Sequence, residues 1–213
     1  MTALARETCV KENSDLASEI AGAIYAIPWS DAGRQACITA GVPLAFTELS
    51  REKIAKEHAE VAKRIAGSLG VIAISDAGRH ACVDAGAPIA LTELAKQKAV
   101  KDNADATRCV AEALSNIAKN EAGRQACVSA GSPLALSNLL HEKSVKENEN
   151  VLVKIAEALN NIALSNSGRQ SCIDAGAPLA LVTLSDEKAI KENSVTAGKI
   201  AQLIKTLLSD DKN

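Results

Sequence analysis

Residues 30–45 read SDAGRQACITAGVPLA, and variants of this stretch return three more times along the chain. The copies are SDAGRHACVDAGAPIA at 75–90, NEAGRQACVSAGSPLA at 120–135 and SNSGRQSCIDAGAPLA at 165–180. Each copy starts 45 residues after the previous one, without any insertion. A fixed period between about 20 and 50 residues is typical of solenoids and propellers. The sequence therefore predicts one continuous array whose units bury their apolar faces against their neighbours.

The composition favours helices over strands. The 213 residues are 47% hydrophobic, but they include only one Phe, one Tyr and one Trp. Alanine, leucine and isoleucine supply the apolar surface, and a β-propeller or β-solenoid would be richer in valine, threonine and aromatic residues. We expect an all-α array.

Charge and hydropathy argue against several classes of partner. The net charge of −2 gives no electrostatic reason to expect nucleic acid or an anionic membrane. No stretch approaches the roughly 20 apolar residues of a membrane span, and the charged N-terminal residues do not resemble a secretory leader. We expect a cytoplasmic protein that binds neither nucleic acid nor membranes.

The third copy shows most clearly how one repeat is built. Asn120 suits the N-cap of a first short helix, Gly131 suits the positive φ that ends it, and Pro133 suits the first turn of a second short helix over 133–140. Apolar residues recur at helical spacing from Val151, which predicts a long third helix.

A polar stretch separates the second and third helices, and it reads HEKSVKENEN at 141–150. Its charges alternate in sign, so we expect a solvated edge. One column within it offers N-caps for the third helix. The members of that column are Asn13, His58, Asn103, Asn148 and Asn193.

Several of these features together resemble the armadillo-repeat family. They are the Ala-Gly end of the first helix followed by proline, as in ACVSAGSPLAL at 126–136, and the third-helix segments ALSNIA at 113–118 and ALNNIA at 158–163. The period lies within the ~40–47 residues of such helical repeats. The resemblance covers nearly the whole chain and implies a right-handed α-solenoid of three-helix repeats. Compared with typical members of the family, this chain has a link between the second and third helices that is a few residues longer.

This interpretation makes the chain a single repeat domain. Its units are a partial N-terminal unit at 1–29 and four repeats at 30–74, 75–119, 120–164 and 165–213.

The repeated cysteine and arginine are predicted to build the array. Equivalent residues on stacked helices lie about 8–10 Å apart, which is too far for a disulfide, and the histidines fall in different columns, so we expect buried thiols and no metal site. We expect each arginine to pair with a local acid, such as Asp31, Asp76 or Glu121 three residues earlier, with an anion-binding ladder as the alternative. The two columns are Cys37, Cys82, Cys127 and Cys172, and Arg34, Arg79, Arg124 and Arg169.

The residues that differ between repeats carry the prediction of a binding site. The resemblance implies that the third helices line a concave groove for extended peptides, and that an asparagine late in this helix pairs with the peptide backbone. Asn116 and Asn161 occupy that column. Four residues earlier, nuclear-import receptors of the family often carry tryptophan, whereas this chain has Glu112 and Glu157. We expect these four residues to contact a peptide, for example a basic segment.

Two further pairs extend the candidate site. Lys63 and Arg108 lie one turn before the glutamate column. Tyr25 and Trp29 lie four residues apart on the first long helix, where they either contact a partner or cover the N-terminal end of the stack.

The sequence therefore predicts a non-enzymatic scaffold that binds a protein or an extended peptide. It contains no Gly-rich loop after a strand and no repeated Ser–His or Cys–His pair, so we expect no catalytic residue and no cofactor. Two alternatives stay open: an adaptor or regulator of a small GTPase or trafficking complex, and a structural array that self-associates end to end.

Overall fold

The computed structural model describes residues 7–185 and 194–208, and these residues form seventeen α-helices with no strand among them. The predicted end units, 1–29 and 165–213, extend beyond the described residues, and Asn193 lies outside them. The helices are α1 (Thr8–Glu12), α2 (Ser14–Tyr25), α3 (Asp31–Thr39), α4 (Val42–Arg51), α5 (Lys53–Glu57), α6 (Ala59–Ile72), α7 (Asp76–Asp84), α8 (Ala87–Ala95), α9 (Lys98–Lys101), α10 (Ala104–Ile117), α11 (Glu121–Ser129), α12 (Ser132–Leu139), α13 (Lys143–Lys146), α14 (Glu149–Ile162), α15 (Asn166–Asp174), α16 (Ala177–Ser185) and α17 (Ser194–Leu208).

Equivalent helices of successive repeats pack against one another. The third helices α2, α6, α10, α14 and α17 form one stack in that order, and the second helices α4, α8, α12 and α16 form another. The first helices α3, α7, α11 and α15 contact each other in the same way. The all-α prediction and the order short, short, long are confirmed for the described part of the chain.

The first helix begins against the end of the preceding third helix. In the second repeat Ser75 Oγ accepts a hydrogen bond from the Gly78 amide at 3.1 Å, which caps α7 as the sequence predicts. A Cβ on Gly78 would lie 1.8 Å from the carbonyl oxygen of Ile72, so only glycine allows this approach. Ser30, Asn120 and Ser165 make the same cap in the other repeats.

The arginine after this glycine closes the same junction. Arg79 Nη1 donates to the carbonyl oxygens of Ala73 at 3.2 Å and Ile74 at 2.9 Å, and Nη2 pairs with Asp76 at 3.1 Å. These carbonyls follow the last turn of α6, where the helix leaves acceptors without an internal partner. Arg34 and Arg124 make equivalent contacts. The predicted pairing with an acid three residues earlier is confirmed for these three arginines.

The turn between the first and second helices requires glycine at one position. Gly86 has a φ of 74°, and Pro88 follows within the first turn of α8. This left-handed backbone is strained for residues that carry a Cβ. Gly131 has the same conformation, and the second helix it precedes begins one residue earlier than the sequence predicts.

The polar link is not wholly solvated, and this corrects the sequence-based prediction. It contains a short helix in each of three repeats: α5, α9 and α13. Ala55, Val100 and Val145 occupy one column of these helices and are fully buried. At least one apolar side chain per copy thus attaches the link to the core, and α5 adds a second, Ile54.

Asparagine caps most of the third helices, as predicted. The side chain of Asn13 accepts from the amides of Asp15 and Leu16, and Asn103 and Asn148 cap α10 and α14. The prediction that the side chain of His58 caps α6 is wrong, because it makes no hydrogen bond to the first turn of that helix.

The cysteine column packs inside the array. Cys37, Cys82, Cys127 and Cys172 are at most 2% exposed, and all cysteines whose side chains are described are unpaired. Burial raises the pKa of Cys82, Cys127 and Cys172 to about 12, so these thiols stay protonated at neutral pH. The predicted structural role is confirmed.

Replacing Gly78 with alanine tests the junction. We expect Gly78→Ala to lower the free energy of unfolding by about 1–3 kcal/mol, because the new methyl group overlaps a backbone carbonyl that cannot move freely. Gly198→Ala is the matched control: apart from the neighbouring backbone of α17 itself, no atom lies within 4 Å of its Cβ position, so alanine should stabilise by about 0.5–1 kcal/mol. Urea unfolding followed by circular dichroism measures both. Equal effects of the two substitutions would contradict the account.

Candidate functional site

The face of the third helices carries three adjoining clefts, which we call together the groove. The charged cleft, of about 280 Å³, lies between α2, α6 and α10. The aromatic cleft, of about 220 Å³, adjoins it through Tyr25, Arg108 and Cys109. The amide cleft, of about 550 Å³, adjoins the aromatic cleft through Ile74, Glu112 and Asn116. Shared walls make the three clefts one path across α2, α6, α10 and α14.

The charged cleft is lined by basic side chains from two helices. Lys63 and Arg64 both pair with Glu60, at 2.5 and 2.8 Å, and the guanidinium of Arg64 lies where a Cβ on Gly22 would be. Arg108 crosses from α10 into this cleft. Glycine at position 22 thus leaves room for an arginine from the next repeat. The lining residues are Tyr25, Glu60, Lys63, Arg64, Asp105, Arg108 and Cys109.

The aromatic cleft depends on a second small residue. The rings of Tyr25 and Trp29 meet edge to face, with centroids 5.6 Å apart. A Cβ on Gly67 would lie 2.9 Å from the Tyr25 ring, so glycine lets the ring rest on the backbone of α6. Burial raises the pKa of the Tyr25 hydroxyl, which stays neutral. Trp29 is 61% exposed and forms an open wall of the cleft.

A row of ion pairs runs from α10 to α17 along the amide cleft. Arg108 Nη1 lies 3.1 Å from Glu112, and Lys154 lies 3.5 Å from Glu112 and 3.1 Å from Glu157. Lys199 of α17 completes the row by pairing with Glu157. Three consecutive third helices are therefore linked by alternating charges.

The row shifts the pKa values of two of its members, Glu157 and Lys154. Burial alone would raise the pKa of Glu157, but hydrogen bonds from Lys199 and Lys154 outweigh it and lower that pKa. Burial likewise opposes the charge of Lys154, whereas its bond to Glu157 and the nearby Glu112 raise its pKa. Both groups are therefore charged at neutral pH.

The two predicted asparagines connect neighbouring repeats. Asn116 Nδ2 donates to the carbonyl oxygen of Gly70 at 3.0 Å, and Asn161 Nδ2 donates to the carbonyl and hydroxyl oxygens of Ser115 at 3.1 and 3.0 Å. Gly70 and Ser115 lie in the last turns of α6 and α10, so each amide caps the previous third helix. An amide has two N–H donors and an acceptor oxygen, so this bond does not use its whole capacity.

All the residues proposed from the sequence lie along the groove, in two groups. Tyr25, Trp29, Lys63 and Arg108 line the charged and aromatic clefts, and Glu112, Asn116, Glu157 and Asn161 line the amide cleft. Sequence reasoning missed Arg64, Lys154 and Lys199. These three residues occupy equivalent positions of different repeats, and the other members of that column are Glu19 and Cys109. Three basic residues among the five members were the signal that the sequence offered.

The described residues contain neither a metal-binding cluster nor a membrane-spanning helix. Within residues 7–185 and 194–208, no three His, Cys, Asp or Glu side chains are grouped so that they could hold a metal ion. None of the helices described here combines the length and the apolar character that crossing a bilayer requires.

Solved structures with the same architecture include several engineered proteins. One engineered protein superposes with a TM-score of 0.81 at 26% identity, covering 98% of this chain and 80% of its own. A set of computationally designed armadillo repeat proteins for modular peptide recognition includes one that matches with a TM-score of 0.78 at 22% identity, covering 96% of this chain and 79% of its own. The fold is an armadillo-like helical repeat.

Another designed armadillo repeat protein was solved in complex with the peptide (KR)4, and it matches with a TM-score of 0.75 at 22% identity, covering 95% of this chain and 80% of its own. No model of a protein family and no curated protein sequence matches the chain. At 22% identity, the likeness between this chain and the two designed armadillo repeat proteins shows the fold alone.

Truncating Asn116 tests its role as a link between repeats. We expect Asn116→Ala to lower the free energy of unfolding by about 1–3 kcal/mol, because the buried carbonyl of Gly70 loses its donor. The matched control is Asn138→Ala on α12, where the side chain is exposed and the change should stay within about 0.5 kcal/mol. Urea denaturation gives both values. If the two variants unfold at the same urea concentration, the amide contributes nothing to the stack.

Proposed function

We propose that this protein is a binding scaffold that holds an extended peptide segment of a partner protein in the groove. The observation that supports this most directly is the continuity of the three clefts, which share lining residues from α2 to α14. Designed armadillo repeat proteins of the same fold have peptide recognition as their purpose.

The spacing of the helices suits an extended chain. Packed helices lie about 8–10 Å apart, and an extended peptide advances about 3.3 Å per residue. A bound segment would therefore advance from the third helix of one repeat to that of the next about every two to three residues. Each repeat could read its own part of the segment with side chains that differ from those of the next repeat.

The polar groups of the groove suit recognition without chemistry. Glu112 and Glu157 form ion pairs with basic neighbours, and the asparagine side chains line the same cleft. Such groups can bond to peptide N–H and C=O groups and to charged side chains. We infer a non-enzymatic role on this basis. An adaptor of a small GTPase or of a trafficking complex would be a narrower form of the same proposal.

Self-association is the second candidate, and one observation favours it. The second helices present a column of exposed aliphatic side chains, one in every repeat, and a repeated apolar surface of this kind can contact another copy. The column is Leu44, Ile89, Leu134 and Leu179, with exposed fractions from 46% to 74%.

A selection from random linear peptides displayed on phage tests peptide binding. We expect recovered peptides to bind the wild-type chain and to bind an Arg108→Ala/Glu112→Ala/Glu157→Ala variant at least about tenfold more weakly, since these side chains lie centrally in the groove. The matched control, Leu134→Ala/Asn138→Ala, changes two exposed residues of the second helices and should leave the affinity unchanged.

Two outcomes would contradict the proposal. The first is that no recovered peptide depends on the groove residues. The second is that the Leu134→Ala/Asn138→Ala variant loses binding while the groove variant keeps it. Light scattering of the same samples shows whether the exposed column makes the chain self-associate, because growth of the scattering mass with concentration favours the second candidate.

A further inference from the structure

The aromatic cleft has room for one large side chain of a partner. Trp29 and Ile74 are 61% and 46% exposed, and they line the cleft together with the buried Val71. The cleft measures about 220 Å³, and an apolar cavity of about 150 Å³ is large enough for benzene. Exposed tryptophan beside aliphatic surface is typical of the residues that dominate binding energy. An aromatic ring is therefore the side chain that fits here.

The charges around this cleft favour an acidic partner. Lys63 and Arg64 share the single carboxylate of Glu60, which leaves one positive charge in excess. Arg108 faces Glu112 at 3.1 Å and Asp105 at 3.9 Å, but Glu112 is also shared with Lys154.

The groove as a whole also carries more basic than acidic side chains. Five basic side chains take part in these ion pairs against four carboxylates, and Lys119 also lines the amide cleft. The five are Lys63, Arg64, Arg108, Lys154 and Lys199, and the four are Glu60, Asp105, Glu112 and Glu157. The two glutamates that the sequence suggested for a basic segment are already neutralised within this row.

Arg108 connects the aromatic and the charged surfaces. It lines both clefts, so its guanidinium lies close to the position of a ring and to the neighbouring basic group. A partner carboxylate near the ring could form charge-assisted hydrogen bonds with Arg108 and with Lys63.

We propose that the segment held in the groove is an acidic peptide with an aromatic side chain, whose ring enters the aromatic cleft while neighbouring carboxylates contact Lys63, Arg64 and Arg108. This rests on the proposed function, and it specifies the chemistry of the partner. The groove should therefore prefer acidic peptides to basic ones such as (KR)4.

Four fluorescently labelled peptides test this selectivity by fluorescence anisotropy. The peptide Gly-Ser-Glu-Glu-Trp-Glu-Glu-Ser-Gly places carboxylates on both sides of one ring. A second peptide replaces its tryptophan with alanine, a third replaces its glutamates with lysine, and the fourth is (KR)4. We expect the first to bind most tightly, at least about tenfold more tightly than each of the others, because it alone supplies both the ring and the carboxylates.

Matched variants locate the two contacts. Trp29→Ala should weaken binding of the first peptide at least about tenfold, whereas Leu164→Ala, at the equivalent position of the third repeat and similarly exposed, should leave that binding unchanged. Lys63→Ala should weaken binding of the first peptide and reduce the salt dependence of that binding. Lys98→Ala, which replaces an exposed lysine of α9, should do neither. All four side chains are at least partly exposed, so circular dichroism should show folded variants.

The possible results separate this inference from the proposed function. Tighter binding of (KR)4 or of the lysine–tryptophan peptide, or binding of the first peptide that Trp29→Ala does not change, overturns the acidic aromatic partner. Library peptides of another composition that still depend on the groove would leave the proposed function intact. If no peptide from the selection depends on the groove, both proposals are wrong.

Discussion

The structure depends on how each first helix closes the C-terminal end of the third helix before it. Gly78 brings the backbone of α7 against the carbonyl of Ile72, and Arg79 then bonds to the carbonyls that follow. The following repeat adds a further donor, because Asn116 reaches back to Gly70 in α6. These contacts satisfy backbone acceptors that a helix end leaves unpaired, which is costly in a buried setting. They also fix the angle at which one repeat leaves the next, and the stack of third helices follows from that angle.

This constraint separates the residues that build the array from those available for recognition. The glycine, arginine and cysteine columns are committed to the junction and the core, so they cannot vary without loss of packing. Apart from Asn116 and Asn161, which also bond to the preceding third helix, the exposed face of the third helices is free of that demand, and there the repeats differ. Glycine at positions 22 and 67 lets Arg64 and Tyr25 lie across the helix backbone, whereas Glu112 and Glu157 at the equivalent positions form the ion-pair row. The groove is therefore aromatic and basic at one end and polar at the other.

Much of the fold could be predicted from the sequence, because the repeats supply several copies of the same local signals. The caps at Ser75 and Asn120, the left-handed Gly131 and the buried Cys127 each follow from local rules applied at a fixed period. The short helices α5, α9 and α13 were missed because one or two apolar residues in a charged stretch of four or five residues give no helical periodicity. In the groove the residue positions could be predicted, but their pairings could not. Glu112 is neutralised by Lys154 of the next repeat, and such a contact depends on how far neighbouring helices are offset.

The central claim is that repeated residues build the stack and that the unrepeated face of the third helices recognises a peptide. Nuclear magnetic resonance of the isotope-labelled chain, titrated with the most enriched peptide from the library selection, tests this most directly. The account predicts that the largest shifts of backbone amide signals fall on groove residues of α6 and α10, such as Gly67, Cys109 and Asn116. Shifts confined to the second helices, around Ile89 and Leu134, with the groove signals unchanged, would contradict it.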